Sequence, residues 1–281
     1  MNYRHAFHAG NFADVVKHTV LFRIVAHLLK KPAPFRIIET HAGAGRYDLG
    51  GPEAQRSPEW KDGIARALTH AFEPPAAALM AGYLDAVRAC NPAGSLSVYP
   101  GSPLLVRSVL RDDDRLLACE LEPHAATALT RQLRGDRRAK AVAIDGWTAL
   151  SAFVPPKERR GLVLIDPPFE HPDEYAVLVE GLSAAWRKWP TGIYLAWYPI
   201  KEPEPVAGLI RRLHGSGITR LLRAELVGAG RTDAPGLRGS GQIVVNPPWN
   251  LQDELQILFP ALAKCLWAGE THAVRLEMLS R

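Results

Sequence analysis

Apolar positions fall along the chain in two rhythms, one unbroken over short runs and one repeating at helical spacing. Gly161-Leu-Val-Leu-Ile165 is apolar without alternation, the pattern of a strand covered on both faces and hence of a parallel sheet. It runs into Asp166-Pro167-Pro168-Phe169, whose prolines cannot continue a ladder. The strand is therefore expected to stop at Asp166 and leave that carboxylate at the C-terminal rim, where open α/β sheets bind ligands. Comparable runs predict strands over 34–39, 115–120, 141–145, 191–199, 218–227 and 241–246. The helical rhythm is clearest at Val20, Leu21, Ile24, Val25 and Leu28, after a cap near Asn11 and before Lys30-Lys31-Pro32.

Residues 51–95 read as helices, over 60–72 and 76–90, broken by Pro74-Pro75 and closed by Asn91-Pro92. The segment is too long for a single crossover, so an inserted helical subdomain is expected, with 1–50 and 96–281 forming the main domain. Tyr99-Pro100-Gly101-Ser102 should return the chain to the edge of the sheet and open a helix over 104–110, with Ser102 as its cap or a ligand contact and the cap favoured. Five parallel strands closed by a hairpin of the sixth and seventh, the last antiparallel, is the layout of Rossmann-like class I S-adenosylmethionine methyltransferases.

The chemistry gathers at strand ends. Thr40-His41-Ala42-Gly43-Ala44-Gly45-Arg46 supplies a Gly-x-Gly turn after the first strand, which lets a nucleotide-like ligand approach the backbone. It lacks the third glycine of a dinucleotide fingerprint and the lysine of a phosphate loop, which disfavours dehydrogenase and phosphoryl-transfer readings. Glu120, ending the second strand, suits a ribose diol, and Asp145-Gly146 the adenine end of the same ligand. With Glu39 and Asp166, four acids are expected at one rim. Asp166 and a rigid backbone carbonyl could accept the two protons of an exocyclic amine, with Phe169 offering a stacking face worth roughly 1–3 kcal/mol. Asn246-Pro-Pro-Trp249 has a similar pattern but ends a strand expected to run antiparallel, so it should lie at the opposite rim.

At 281 residues and 47% hydrophobic content the chain can bury a full core. Cys90, Cys119 and Cys265 show no paired spacing, so neither disulfides nor zinc are expected, and His5, His8, His18 and His41 lack a ligand pattern for any other metal. No leader or membrane span is apparent, and a cytoplasmic location is expected. A net charge of +5 and a pI near 9.2 are compatible with a polyanionic partner, with basic clusters at 131–140, 157–160 and 211–223.

Taken together, Tyr3-Arg4-His5, Phe7-His8-Ala9-Gly10-Asn11, Asp14-Val15, Lys17-His18-Thr19, Thr40-His41-Ala42-Gly43-Ala44-Gly45-Arg46-Tyr47, Tyr99-Pro100-Gly101-Ser102, Asp145-Gly146, Asp166-Pro167-Pro168 and Trp197-Tyr198-Pro199 resemble the bacterial 23S (large-subunit) ribosomal RNA adenine-N6 methyltransferase J family over essentially the whole chain. The resemblance implies an S-adenosyl-L-methionine site using His18, His41, Ser102, Glu120, Asp145, Gly146 and Asp166. It makes Asp166 the catalytic residue and 23S rRNA the partner. That RNA is expected protein-free or as an early precursor, and a monomer is expected because no interface stripe demands a dimer. It implies that residues 1–18 fold over the pocket, with Tyr3 and Phe169 meeting the RNA. The family carries Tyr where this chain has Phe169, so a hydroxyl contact is lost. The loop 228–241, with Arg231 and Arg238, is read either as an RNA contact or as a plain hairpin loop. The rival readings are the same chemistry on DNA adenine, another RNA amine or a protein glutamine amide, and a non-catalytic RNA-binding protein on this fold.

Overall fold

The computed structural model describes residues 4–171, 173–228, 236–267 and 272–280. Asn11 caps the first helix, its side chain accepting from the Asp14 amide, and α1 (Phe12–Leu29) runs to the Lys-Lys-Pro break. There follow β1 (Arg36–Glu39), β2 (Arg46–Asp48), α2 (Pro52–Arg56), α3 (Ile64–Thr69), α4 (Pro74–Ala89), β3 (Val98–Pro100), α5 (Ser102–Arg107) and β4 (Arg115–Glu120). The second half comprises α6 (Pro123–Leu133), β5 (Ala139–Ala143), α7 (Gly146–Phe153), β6 (Gly161–Ile165), α8 (Glu174–Lys188), β7 (Ile193–Ile200), α9 (Pro203–His214), β8 (Leu221–Gly228), β9 (Gly239–Val245), α10 (Leu251–Leu266) and β10 (His272–Ser280).

The main sheet has the order β10-β8-β9-β7-β6-β1-β4-β5. Strands β1, β4, β5, β6 and β7 are parallel, while β9 runs antiparallel to both β7 and β8. The absence of alternation in β6 has the anticipated cause. Leu162 and Leu164 enter the core under α1 and α10, and Val163 and Ile165 enter the core under α7, α8 and α9. Ile37 and Ile38 of β1 divide in the same way.

Two expectations are corrected. The sheet has eight strands rather than seven: β10 pairs antiparallel with β8 along the edge. Its side chains are mostly exposed and mix charge with apolar character, so it lacks a buried strand's signature and instead gives a charged edge. Arg275 and Glu277 reach Glu225 and Arg223 of β8 at 3.5 and 3.6 Å. The second correction concerns Tyr99, which does not return to the main sheet; β3 pairs with β2 in a separate two-stranded ribbon.

Helices α3 and α4, from the segment read as an insertion, pack on α1 and α10 and share their core through Ile64, Met80, Tyr83 and Val87. Gly63 makes this docking close. The Ile64 amide donates to the Gly10 carbonyl at 2.8 Å, and a Cβ at residue 63 would stand 2.1 Å from that oxygen. Gly63→Ala is therefore expected to destabilise the fold by about 1–3 kcal/mol and lower the thermal midpoint by several degrees. Thermal unfolding by circular dichroism measures it, and an unchanged midpoint would contradict the close docking.

Candidate active site

Parallel pairing of β5, β4, β1 and β6 brings Asp145, Glu120, Glu39 and Asp166 to one rim, as their strand-end positions require. Glu120 is fixed by backbone: the Gly43 amide donates to one carboxylate oxygen at 2.7 Å and the Glu122 amide to the other at 2.8 Å. Gly43 adopts φ 64, a left-handed conformation that suits glycine, and this turns its amide toward Glu120. Asp145 caps α7 by accepting from the Thr148 amide and hydroxyl at 2.8 and 2.9 Å. Gly146 leaves room for His41, whose Nε2 lies 2.5 Å from where a Cβ would be. His41 also meets Trp147 edge-on at 5.4 Å, and burial lowers its pKa to about 4 despite the nearby Asp166 and Asp145, so the imidazole is neutral at pH 7.

Ser102 does not cap α5, contrary to the favoured sequence reading; Gly101 stands at the cap. The Ser102 hydroxyl instead donates to Glu39 Oε2 at 2.7 Å. Glu39 is fully buried, and its Oε1 has no hydrogen-bond partner. Burial pushes its pKa up to about 8, the Asp166 charge adding to the effect and the Ser102 bond opposing it. His18 is placed deeper than the rim acids. Its Nδ1 lies 2.6 Å from the Tyr99 hydroxyl, which in turn lies 2.9 Å from that of Tyr83, and burial lowers its pKa to about 3.

A charge cluster that sequence reasoning did not assign lies beside Asp166. Lys17 Nζ contacts Asp14 Oδ1 at 2.8 Å and Asp166 Oδ2 at 2.5 Å, with a side chain only 5% exposed. Asp14 also accepts from the Gly10 amide at 2.9 Å and lies 3.0 Å from His5 Nε2. Burial alone would raise the Asp14 carboxyl, but Lys17 and then His5 hold it well below the usual carboxylate range. Burial would likewise lower Lys17, and the charges of Asp14 and Asp166 reverse that and raise it. Lys17 fixes one oxygen of Asp166 and leaves Oδ1 without a hydrogen bond among the described residues. The sequence signal was present as an acid and a lysine at i,i+3 on the first turns of α1, but only the fold shows that this face meets β6.

Phe169 has φ 50, a left-handed backbone that strains a bulky residue by about 1–3 kcal/mol. Tyr175 at 4.9 Å and Trp197 at 5.8 Å hold its ring, and Trp197 also lies under the Lys17 ammonium at 5.7 Å. Tyr3 and residues 229–235, including Arg231, lie outside the described residues. Arg238 is described, its amide donating to the Ile200 carbonyl at 2.8 Å. Asn246 stands at the opposite rim, because Val245 pairs with Tyr194 near the start of β7. Its side chain donates to the Pro190 and Gly192 carbonyls, both at 2.7 Å.

These features fit a nucleoside ligand bearing an amino group. Glu120 offers a carboxylate pinned by amides, a bare glycine lies against His41, and a buried Glu39 oxygen stands unpaired. Sheet order, glycine turn and rim acids define a class I S-adenosylmethionine-dependent methyltransferase. A family model described as "Ribosomal RNA large subunit methyltransferase D, RlmJ" matches residues 32–278. The chain is 41% identical over 274 residues to Ribosomal RNA large subunit methyltransferase J of Escherichia coli K12, covering 97% of each chain. It is 37% identical to the Haemophilus influenzae protein of that name, covering 100% of this chain and 99% of the relative. The crystal structure of protein LPL1258 from Legionella pneumophila superposes with TM-score 0.87 at 32% identity, covering 96% of this chain and 98% of that one. The chain belongs to the RlmJ ribosomal RNA large subunit methyltransferase family.

Lys17→Met leaves Asp14 buried without its cation and is expected to destabilise the protein by about 3–5 kcal/mol, read from urea denaturation; a change below 1 kcal/mol would mean that the cluster is solvated. Glu39 gives a pH signature. Between its ordinary value near 4.5 and about 8, the folded chain keeps a proton that the unfolded chain has lost, so this group's contribution to stability falls as pH rises through that window. Glu39→Gln should flatten the decline in urea midpoint across that range, whereas parallel profiles for the two proteins would remove Glu39 as its source.

Proposed function

We propose that the chain transfers a methyl group from S-adenosyl-L-methionine to the N6 amine of a specific adenine in 23S ribosomal RNA. The observation that carries this reading is the end of β6, where an oriented carboxylate with one free oxygen is followed by two rigid prolines and a ring held in a strained conformation. When bound, the cofactor supplies an electrophilic methyl carbon. The adenine is flipped from its helix into the rim and stacks on Phe169, a contact worth roughly 1–3 kcal/mol. Asp166 Oδ1 and the Pro167 carbonyl accept the two N–H bonds of the amine, which directs the nitrogen lone pair toward the methyl donor, and Asp166 is placed to take the released proton. Lys17 holds the carboxylate in one orientation, so alignment is built before the base arrives.

His18, His41, Ser102, Glu120, Asp145 and Gly146 hold the cofactor in this reading, and Tyr3 with Phe169 meets the RNA. The methyltransferase domain comprises 1–50 and 96–281, with 51–95 as its helical insertion. The chain acts as a monomer in the cytoplasm on protein-free or early precursor RNA. Among the described residues no helix is long and apolar enough to cross a membrane.

The test is transfer from labelled S-adenosylmethionine to protein-free 23S rRNA lacking the modification, with nucleosides identified by mass spectrometry. Label is expected in N6-methyladenosine, and Asp166→Ala should abolish it while leaving the fold intact. Label in another nucleoside, or full activity of Asp166→Ala, would overturn the reading.

A further inference from the structure

The opposite rim of the sheet carries a second feature with no part in the chemistry above. Trp249 is 78% exposed, the most exposed large hydrophobic side chain among the described residues, just after a strand where aromatic residues are ordinarily covered. It lines a cavity of about 560 Å³ with His27, Lys31, Ile193 and Arg220. Two buried prolines and the paired Asn246 side chain fix the turn that presents it. The Asn246 amide donates to the Arg220 carbonyl at 2.9 Å, which ties Arg220 to the same turn.

The surroundings are positive. Lys30 Nζ stands 5.8 Å from the Trp249 ring, and Lys30, Lys31 and Arg220 form no salt bridge among the described residues. The neighbouring carboxylate, Glu254, is taken up by Arg23 through contacts of 2.7 and 2.9 Å. Burial lowers the His27 pKa, the charges of Lys30, Arg160 and Lys31 add to that, and a hydrogen bond with Asn250 opposes it. An exposed ring beside unneutralised cations is the combination that binds a single-stranded nucleic acid, bases on the ring and phosphates on the cations.

We propose that this rim is a second RNA-binding site, in which an unpaired base stacks on Trp249 and the flanking phosphates lie against Lys30, Lys31 and Arg220. The occupant is a single-stranded stretch of the substrate RNA away from the modified base, so the proposal rests on RNA being the substrate. Because the site faces away from Asp166, it acts on RNA capture and not on the transfer step.

The probe is a fluorescent oligouridylate of about 12 nucleotides, which contains no adenine to methylate and is titrated onto the full chain by anisotropy over a series of salt concentrations. Trp249→Ala is expected to weaken binding by roughly 5- to 100-fold. The Lys30→Glu/Lys31→Glu double variant should weaken it further, because the new carboxylates repel the phosphates, and reduce the salt slope by about two. Both variants should keep the wild-type kcat on protein-free 23S rRNA and raise its KM. Wild-type affinity and slope in both would overturn the site, as would direct binding of labelled polyglutamate without any oligouridylate binding, which would indicate an acidic protein partner. If oligouridylate binding depends on Trp249 but no methyl reaches rRNA, the binding site stands and the substrate reading fails.

Discussion

Two buried charged side chains, Asp14 and Lys17, meet the part-buried Asp166 where the first helix meets the fourth strand of the parallel core, and much of the structure is arranged to make that tolerable. Each carboxylate alone would be expensive to take out of water, and the shared ammonium between them offsets the loss only if its position is held. Asn11 fixes the start of α1, Gly10 donates its amide to Asp14, and Trp197 covers the ammonium. The helices of 51–95 hold α1 from behind through Gly63 and Ile64. The scaffold thereby converts an electrostatic liability into a fixed direction for one carboxylate.

Much of this was legible in the sequence because period and punctuation are local properties. The buried β1, β4, β6 and β7 follow from the spacing of apolar residues, and the Asn11 cap and the proline stop after Asp166 from local punctuation; the third strand was displaced, since β5 ends at Ala143 and Asp145 caps α7. What escaped depended on contacts between distant segments. The edge strand β10 has no burial pattern to announce it. The pairing of Tyr99 with Tyr47 in a separate ribbon, and of Ser102 with Glu39 rather than with its own helix, depends on how the chain returns after 51–95. Lys17 was visible as a helix residue, but its meeting with a carboxylate 149 positions away was not.

The rim combines groups with opposed protonation preferences in a small space. Glu39 favours its neutral form, His41 and His18 are neutral bases, and Asp14 is firmly ionised. Desolvation drives the first three, outweighing the carboxylates near His41 and His18, while the Lys17 cation outweighs it at Asp14.

The two proline-terminated tetrapeptides carry a lesson about what a motif encodes. Asp166-Pro-Pro-Phe169 and Asn246-Pro-Pro-Trp249 share their shape as strings, yet the first ends a parallel strand and the second an antiparallel one, which sends them to opposite ends of the molecule. A short pattern specifies a local bend, and its address in space is written in the polarity of the strand before it. A search that scored such patterns without strand direction would count this chain twice and place half of its hits on the wrong side of the protein.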